Sequence, residues 1–516
     1  MMLRPNNAST WAEAVNGFTH PRVITMLFLG FSAGLPLLLI FSSLSLWLRE
    51  AGIDRAVVTF FSWAALGYSF KFVWAPLVDS LPLPVLTRLL GRRRSWMIFA
   101  QMLVMLAIVL MSSMDPAAAG FNISYLALAA VMLGFSSATQ DIVIDAYRIE
   151  SAETRLQALM SSTYIAGYRI GMLVAGAGAL YLASYFGSTE QMYSYGAWQK
   201  TYLVMASCML VGMVTVLLIP EPAHEVGGGL TSVRQQVQVV VLFLCCVGVF
   251  VLSYLGLAQI GAGLKDALAE IAGNRVLGGV LVELLKLSIG LGLVVVTAAG
   301  LSRTGMVEFT VVQKLYLNPV TEFFSRYGLH TALILLCLVG LYRISDIVLG
   351  VIANLFYQDI GFTKTEIATV SKIFGLGMTL LGGFVGGLSA LRFGVMKTLL
   401  VGAVLSAATN LLFMALAKVG YDLFFLYLVI GADSLCAGIA SVAFVAFLSS
   451  LTSIRFTAMQ FAIFSSIMTL IPKVLGGYSG GMVNTMGYSG FFLLTAVLGI
   501  PVVILIVLIS RDSRFS

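Results

Sequence analysis

Residues 125–150 read YLALAAVMLGFSSATQDIVIDAYRIE. The first half is an apolar run rich in small residues, and about 20 such residues are enough to cross the hydrocarbon core of a bilayer as one helix. The second half places Asp141 and Asp145 in the same predicted helix. A carboxylate at a helix centre costs about 2.5–3.5 kcal/mol on the insertion scale, so it should face protein or a water-filled cavity. The stretch predicts a multi-span membrane protein with a polar interior.

The composition of the whole chain agrees with that interpretation. Of its 516 residues 59% are hydrophobic and 10% are charged, and the mean hydropathy is +0.98. This is far more apolar than a water-soluble domain, so soluble enzyme classes are excluded. The formal charge of +7 is dispersed over short gaps, which makes nucleic acid an unlikely partner. The five cysteines all lie in apolar runs and indicate neither a disulfide framework nor a metal site.

Apolar runs recur along the chain in a pattern of six, two and six. The predicted spans are 24–47, 57–78, 95–113, 121–147, 158–183, 200–219, 236–260, 276–300, 330–356, 366–390, 395–417, 422–450, 456–484 and 488–510. We therefore predict an all-α integral membrane protein with a major facilitator fold, in which two six-helix bundles are joined through two inserted transmembrane helices. The domains are an N-terminal bundle (1–219), a cytoplasmic linker with the inserted pair (220–329) and a C-terminal bundle (330–516).

Alternate gaps between the spans differ in charge. One set is rich in arginine and lysine, namely Arg88, Arg92, Arg93, Arg94, Arg155, Arg234, Arg303, Lys314, Arg326, Arg392, Lys397 and Arg455. Positive charge in short loops marks the cytoplasmic side. Both termini are then cytoplasmic, and an even number of spans agrees, because it places both termini on the same side.

Asp141, Asp145 and Arg148 share one face of the fourth predicted helix, because residues four and seven apart align. Asp141 lies roughly 10 Å inside a cytoplasmic end near Arg148, at ~1.5 Å per residue. These acids are candidates for proton exchange. A purely structural network, in which Arg148 neutralises Asp145 and another base holds Asp141, is the alternative.

The next predicted helix carries YIAGYRIGMLVAGAGAL, with Gly167 and Gly171 at the start of a small-residue stripe that favours close helix packing. Arg169 projects from nearly the opposite side, toward either Asp141 or a central cavity. Tyr164 and Tyr168 add hydroxyl groups beside it, although membrane tyrosines are often simple packing residues. All three are candidate substrate-binding residues.

Lys71 is a further candidate for substrate binding, with an equally plausible alternative in which its long stem reaches the membrane interface. In the last bundle, LYRISD places Arg343 and Asp346 three residues apart, as a self-neutralising pair or as a switch. Lys473 follows Pro472, which should weaken its helix, and either reaches outward or binds substrate. Asp433 has no base within a helical turn.

These predictions combine into two functional sets and one gating set. Bases deep in the spans suit an anionic solute, so Lys71, Tyr164, Tyr168, Arg169, Arg343 and Lys473 are assigned to substrate binding. Buried acids suit proton coupling, so Asp141, Asp145, Asp346 and Asp433 are assigned to proton exchange. The two bundles each carry a cytoplasmic hairpin with a small residue, an arginine and a glycine. We assign Asp79, Arg92 and Arg392 in these hairpins to the cytoplasmic gate.

Other classes of function lack their motifs. No phosphate-binding loop, HExxH motif, cysteine-rich metal site or nucleophile elbow is present in the sequence. We expect no enzymatic activity, no cofactor and no metal. A non-transporting receptor would normally append a soluble output domain, and a lipid-linked transferase would place its acids and bases on interfacial loops. A secondary transporter is favoured over both.

Several segments resemble the AmpG family of major facilitator permeases. They are GFSAGLPLLL, FFSWAALGYSFKFVWAPLVD, GRRRSW, SSATQDIVIDAYRIE, GYRIGMLVAGAGAL, LYRISD, SKIFGLGMTLLGGFVGG, DSLCAGIASVAFVAFL and FTAMQFAIFSSI. Two features depart from the plain pattern, namely the inserted spans between the bundles and Ser80, which stands where the wider superfamily has arginine.

The resemblance implies a bacterial inner-membrane importer that is driven by protons. As partners we expect the solute, protons and the lipid bilayer, with the chain acting as a monomer. Its solute would be N-acetylglucosaminyl-anhydromuramic acid, with or without peptide, imported for peptidoglycan recycling and β-lactamase induction. Related permeases carry siderophores and a distant branch carries acetyl-CoA, so the fold leaves the solute open. The rivals are an importer of another anionic solute and a non-transporting muropeptide sensor.

Overall fold

The computed structural model describes residues 15–54, 57–58, 61, 64, 67–189, 192–222, 232–271, 275–476, 479–512 and 514. All regular secondary structure in these residues is helical. Contacts divide the chain into two units. The smaller contains Pro76–Leu81 and Val226–Phe323, and the larger contains both predicted bundles apart from Pro76–Leu81.

The N-terminal bundle has five long helices and several short ones. The long helices are α1 (Pro21–Glu50), α2 (Arg92–Ser112), α3 (Ile123–Ser151), α4 (Leu156–Tyr185) and α5 (Tyr195–Leu218). The short helical segments are Gly67–Phe70, Lys71–Val73, Ala75–Ser80 and Leu86–Leu90. The predicted second span, 57–78, falls partly outside the described residues.

Glycines hold α1 against α4. A Cβ atom on Gly167 would collide with the carbonyl oxygen of Leu27, and one on Gly30 would collide with the carbonyl oxygen of Tyr164. The two backbones therefore approach closely along their length, as small residues permit in membrane helices. The small-residue stripe predicted from the sequence packs as expected, and its partner is α1.

The smaller unit contains a helical hairpin, formed by α6 (Val233–Ile271) and α7 (Arg275–Arg303). Gly290 of α7 lies against the ring of Phe250, and the Lys286 ammonium lies 4.8 Å from the ring centre of Tyr254. These helices overlap the two predicted inserted spans. The short helices Phe309–Val312 and Gln313–Leu317 follow, and an amphipathic helix, Asn318–Tyr327, leads out of the unit.

The C-terminal bundle has six helices. They are α8 (Leu329–Asp359), α9 (Ala368–Phe393), α10 (Val395–Val419), α11 (Leu423–Leu451), α12 (Thr457–Gly476) and α13 (Ser479–Ser510), with short segments at Lys364–Ile367 and Ile454–Phe456. Helices α9 and α11 cross at Gly382, Gly386 and Gly438, where a Cβ atom would meet the backbone of the facing helix. The second bundle therefore repeats the glycine-mediated crossing of the first.

Eleven of the described helices are long and apolar enough to cross a membrane. Two shorter apolar helices, Ser288–Arg303 and Ile454–Leu470, coincide with two more of the predicted spans. The fourteen spans predicted from the sequence are consistent with these lengths. The end of the bundles that carries Arg92, Arg93 and Arg392 is referred to below as the arginine-rich end.

Candidate functional site

The carboxylate of Asp145 lies between two buried cations. Its Oδ2 is 3.7 Å from Nζ of Lys71, and its Oδ1 accepts a hydrogen bond of 3.1 Å from Nη2 of Arg148. Lys71 is only 6% exposed, because the segment Lys71–Val73 directs it into the bundle. It does not extend to the membrane interface. The structure therefore brings together Lys71, Asp145 and Arg148, as a network that balances at least part of its charge internally.

Asp141 lies beside this network and is 8% exposed. The charges of Lys71 and Asp145 and the hydroxyl of Tyr164 are its electrostatic neighbours, and its Oδ1 has no hydrogen-bond partner. A buried carboxylate oxygen without a donor is unusual, since such groups are nearly always hydrogen-bonded. Asp141 thus lies among charged and polar groups with one of its carboxylate oxygens left without a donor among the described residues.

Three tyrosines surround the acids. Tyr164 and Tyr168 lie on α4 with ring centres 6.1 Å apart, and both are within range of the charges of Asp141 and Asp145. Tyr68, which was not singled out from the sequence, donates a hydrogen bond of 2.6 Å to Ser137. Of the three hydroxyl groups, that of Tyr164 interacts with the carboxylate of Asp141 as a hydrogen-bonding partner.

Arg169 lies apart from this network. It is partly exposed, and the described residues offer it no ion pair or hydrogen bond. The charge of Arg343, which belongs to the other bundle, acts on it. Two guanidinium groups from opposite bundles thus repel each other electrostatically, and a bound anion would relieve that repulsion.

A second polar cluster lies in the C-terminal bundle, where helix α8 is interrupted. Arg343 caps the helical segment Ile344–Asp359, and Asp346 lies in its first turn, where a carboxylate interacts favourably with the helix dipole. Nε of Arg343 is 3.4 Å from Oδ2 of Asp346, and its Nη1 donates a hydrogen bond of 3.1 Å to Ser441. The self-neutralising pair considered from the sequence is therefore formed.

Asp433 belongs to the same cluster, because the charges of Asp346 and Arg343 both act on it. Its Oδ1 accepts a hydrogen bond of 3.1 Å from Thr409 of α10. The sequence showed no base within a turn of Asp433, and the tertiary fold supplies one from α8. Two acids and one base make this cluster formally negative when both acids are ionised.

Two of the predicted gating residues, Arg92 and Arg392, lie at the arginine-rich end. Arg92 is the first residue of α2, Arg392 lies in the last turn of α9, and Asp79 lies in the short helix Ala75–Ser80 of the smaller unit. The side chain of Lys473, the remaining candidate, lies outside the described residues.

A buried ion pair at this end was missed from the sequence. Arg93 and Glu150, each 1% exposed, form hydrogen bonds of 2.9 and 2.5 Å. The carboxylate of Glu221 accepts hydrogen bonds from the backbone N–H groups of Arg93 and Arg94, at 2.7 and 3.1 Å, and so caps α2. The stretch GRRRSW suggested only cytoplasmic charge, since nothing local identifies which arginine folds inward.

The two bundles also meet at this end. Ser162 of α4 donates a hydrogen bond of 2.8 Å to the carbonyl oxygen of Gly383, and Arg148 of α3 donates one of 2.7 Å to Ser449 of α11. Ala158, Ala390 and Ala446 pack together nearby. The structure is therefore closed between the bundles at the arginine-rich end. Ser449 has no sequence signal, because hydroxyl residues are frequent in membrane helices.

Among the residues that the structure describes, no group of three or more His, Cys, Asp or Glu side chains could hold a metal ion.

Both halves of the chain match models of known protein families. A model described as Acetyl-coenzyme A transporter 1 matches residues 23–220, and the Major Facilitator Superfamily model matches residues 333–515. The chain is 31% identical over 493 residues to the putative transporter AmpG 4 of Rickettsia conorii, covering 96% of this chain and 97% of that protein. It is 26% identical over 500 residues to the anhydromuropeptide permease of Escherichia coli K12, with 97% and 82% covered.

Solved structures share the fold at low sequence identity. The proton:xylose symporter XylE matches with a TM-score of 0.56 at 12% identity, covering 96% of this chain and 95% of that one. The fucose:proton symporter FucP of E. coli matches with the same TM-score at 13% identity, covering 97% and 100%. Both belong to the predicted fold class, and the all-helical architecture with two bundles is confirmed.

Proposed function

Because the chain belongs to the AmpG family of major facilitator permeases, we propose that it imports anhydro-muropeptides across the bacterial inner membrane by proton-coupled alternating access. The solute is N-acetylglucosaminyl-anhydromuramic acid, with or without peptide. Its uptake feeds peptidoglycan recycling and, through the imported products, β-lactamase induction. Both termini face the cytoplasm, so the arginine-rich end is the cytoplasmic end.

The observation that supports an anionic solute is the electrostatic repulsion between Arg169 and Arg343, which come from opposite bundles. Arg169 has no anionic partner among the described residues, so a carboxylate of the solute can bind between the two guanidinium groups. Anhydromuramic acid carries such a carboxylate. Binding between the bundles would favour the conformation in which they approach each other around the solute.

Charge balance supports proton coupling. The two clusters and Arg169 contain four bases (Lys71, Arg148, Arg169 and Arg343) and four acids (Asp141, Asp145, Asp346 and Asp433). Their formal charges cancel when all eight are ionised. Adding one proton together with one carboxylate keeps that balance, so co-transport avoids an uncompensated charge in a low-dielectric site.

The first test measures uptake into proteoliposomes of labelled N-acetylglucosaminyl-anhydromuramic acid and of the same molecule with its carboxylate converted to an amide. The wild type should prefer the acid at least tenfold, and Arg169→Ala should lose most of this preference. Arg88→Ala, an exposed arginine in the arginine-rich hairpin, is the matched control. Equal preference in the wild type and Arg169→Ala would disprove the assignment of Arg169.

The second test concerns the proton. In Asp141→Asn and Asp433→Asn we expect accumulation driven by a proton gradient to fall at least tenfold, while exchange of solute without a gradient continues. Wild-type accumulation that persists when an uncoupler collapses the gradient would refute proton coupling.

One alternative solute has a specific observation in its favour, which is the match of residues 23–220 to the acetyl-coenzyme A transporter model. Coenzyme A thioesters are also anionic and would also suit Arg169 and Arg343. Including acetyl-CoA and a ferric siderophore in the uptake panel distinguishes these solutes. Saturable transport of acetyl-CoA but not of the muropeptide would replace the proposal.

A further inference from the structure

Arg148 holds a position that neither the substrate site nor the gating set explains. Its side chain is completely buried, at 0% exposure. Within its own bundle the guanidinium group donates hydrogen bonds of 3.1 Å to Asp145 and 3.1 Å to Ser161. Toward the other bundle it donates a hydrogen bond of 2.7 Å to Ser449 and lies 5.2 Å from the ring centre of Phe461. One cation thus bridges the two bundles.

The residues around Arg148 allow the two bundles to approach each other closely at this contact. The adjoining contacts between the bundles are made by small groups, namely Ser162 against Gly383 and Gly387, and the cluster of Ala158, Ala390 and Ala446. Small residues let the helices approach closely. Arg148 is therefore a charged group inside an otherwise small and apolar contact, where its hydrogen bonds are stronger than in water.

Arg148 is also connected to the proton-exchange candidates. Asp145, which accepts its hydrogen bond, lies 3.7 Å from Lys71 as well. The charged and titratable groups around these residues are Lys71 and Tyr68 from the second span, Asp141 and Asp145 from α3, and Tyr164 and Tyr168 from α4. A change of charge on Asp141 alters how Lys71 is shared between the two acids. That change in turn alters how strongly Asp145 holds Arg148.

We propose that Arg148 is the positioning residue that couples the charge of the buried acids, Asp141 and Asp145, to closure of the two bundles at the arginine-rich end. When that end opens, Arg148 leaves Ser449 and Phe461 but keeps Asp145 and Ser161, which belong to its own bundle. The cation is then never without a counter-ion. This inference rests on the proposed function in one respect, namely that Asp141 and Asp145 exchange protons. Closure of the bundles itself requires no solute.

The test measures the distance between the bundles rather than transport. Spin labels at Glu153→Cys and Lys397→Cys, two exposed sites at the arginine-rich end, are introduced after the five native cysteines are replaced. Double electron–electron resonance at pH 5.5 and pH 8 then measures the distribution of distances between the two labels, which gives the ratio of closed to open molecules. No solute or gradient is needed, so the result is independent of which solute is carried.

Ser449→Ala removes the acceptor in the other bundle, and its closed-to-open ratio should fall about tenfold, equivalent to about 1.4 kcal/mol. Ser450→Ala is the matched control, because Ser450 donates only to the carbonyl oxygen of Phe447 in its own helix at 2.7 Å. Phe461→Leu tests the same bridge from a second residue, in case one variant folds poorly. A ratio in Ser449→Ala and Phe461→Leu equal to that of Ser450→Ala overturns the proposal.

Arg148→Gln separates coupling from simple packing. Glutamine can still donate a hydrogen bond to Ser449 but carries no charge. In Arg148→Gln the closed-to-open ratio should therefore be the same at both pH values. In Ser449→Ala the ratio should keep the pH dependence of the wild type. A merely structural role would shift the ratio equally at both pH values. Unchanged pH dependence in Arg148→Gln, or none in the wild type, overturns the coupling. If the closed-to-open ratio of the wild type depends on pH but uptake does not depend on the proton gradient, the proposal of proton-driven transport is refuted and the proposed role of Arg148 is retained.

Discussion

Removing one charge of the Arg93–Glu150 pair is expected to destabilise the folded protein by about 3–5 kcal/mol. Both side chains are 1% exposed, and two hydrogen bonds of 2.9 and 2.5 Å join them. In Arg93→Met the carboxylate of Glu150 remains buried without its guanidinium partner. In Glu150→Met the guanidinium group of Arg93 loses this carboxylate. Each single variant therefore leaves one buried charge without the charge that compensates it in this pair.

The double variant Arg93→Met/Glu150→Met should behave differently. It removes both charges and fills the space with flexible apolar side chains, which in other buried pairs is neutral or stabilising. Capping of α2 is preserved, because Glu221 bonds to the backbone N–H of residue 93 rather than to its side chain. We expect the double variant to be more stable than either single variant, with a coupling energy of roughly 2–3 kcal/mol.

The assay is reversible unfolding in mixed micelles of increasing denaturing detergent, which yields the free energy of unfolding for the wild type and three variants. Arg88→Met is the matched control, because Arg88 is exposed in the same hairpin and should change stability by no more than about 0.5 kcal/mol. If the two single effects simply add in the double variant, the pair does not stabilise the fold through mutual compensation and the reasoning is refuted.

Two further variants test packing at opposite places in the first bundle. Gly167→Ala should lower the free energy of unfolding by roughly 1–3 kcal/mol, because its Cβ would meet the carbonyl oxygen of Leu27. The control is Gly196→Ala, which should have little effect because no atom lies within 4 Å of the added Cβ. A stable Gly167→Ala protein in the same unfolding assay would contradict the close crossing. Trp198→Phe removes the indole N–H that donates to Oε2 of Glu50 at 2.7 Å, and should lower the free energy of unfolding by about 1.5–3 kcal/mol. An unchanged midpoint would show that this hydrogen bond is dispensable.

Periodicity along single helices predicted much of the candidate site. The face shared by Asp141, Asp145 and Arg148 and the pair formed by Arg343 and Asp346 depend only on spacing within one helix. Both arrangements are present in the structure. The close packing of Gly167 was likewise predictable, because glycines at helical spacing favour contact with a neighbouring helix.

Contacts between helices could not be predicted in the same way. The sequence allowed Lys71 to reach the interface or the bundle interior, and allowed Arg169 to face Asp141 or a cavity. Burial of Lys71 beside Asp145, and the electrostatic interaction of Arg169 with Arg343, depend on how different helices are rotated and placed. No local pattern encodes that rotation when several faces of a membrane helix are apolar.

By itself, then, the sequence determined that the chain is an all-helical membrane protein with two bundles and acids in their interior, because hydrophobic length and helical spacing are local properties. Only the tertiary structure decided which charges meet. The partners lie far apart along the chain. Arg93 is 57 residues from Glu150, Arg343 is 90 residues from Asp433, and Arg148 is 301 residues from Ser449. Such pairs form because a buried charge must find a partner within the folded bundle, and the packing of the helices determines which partner is in reach.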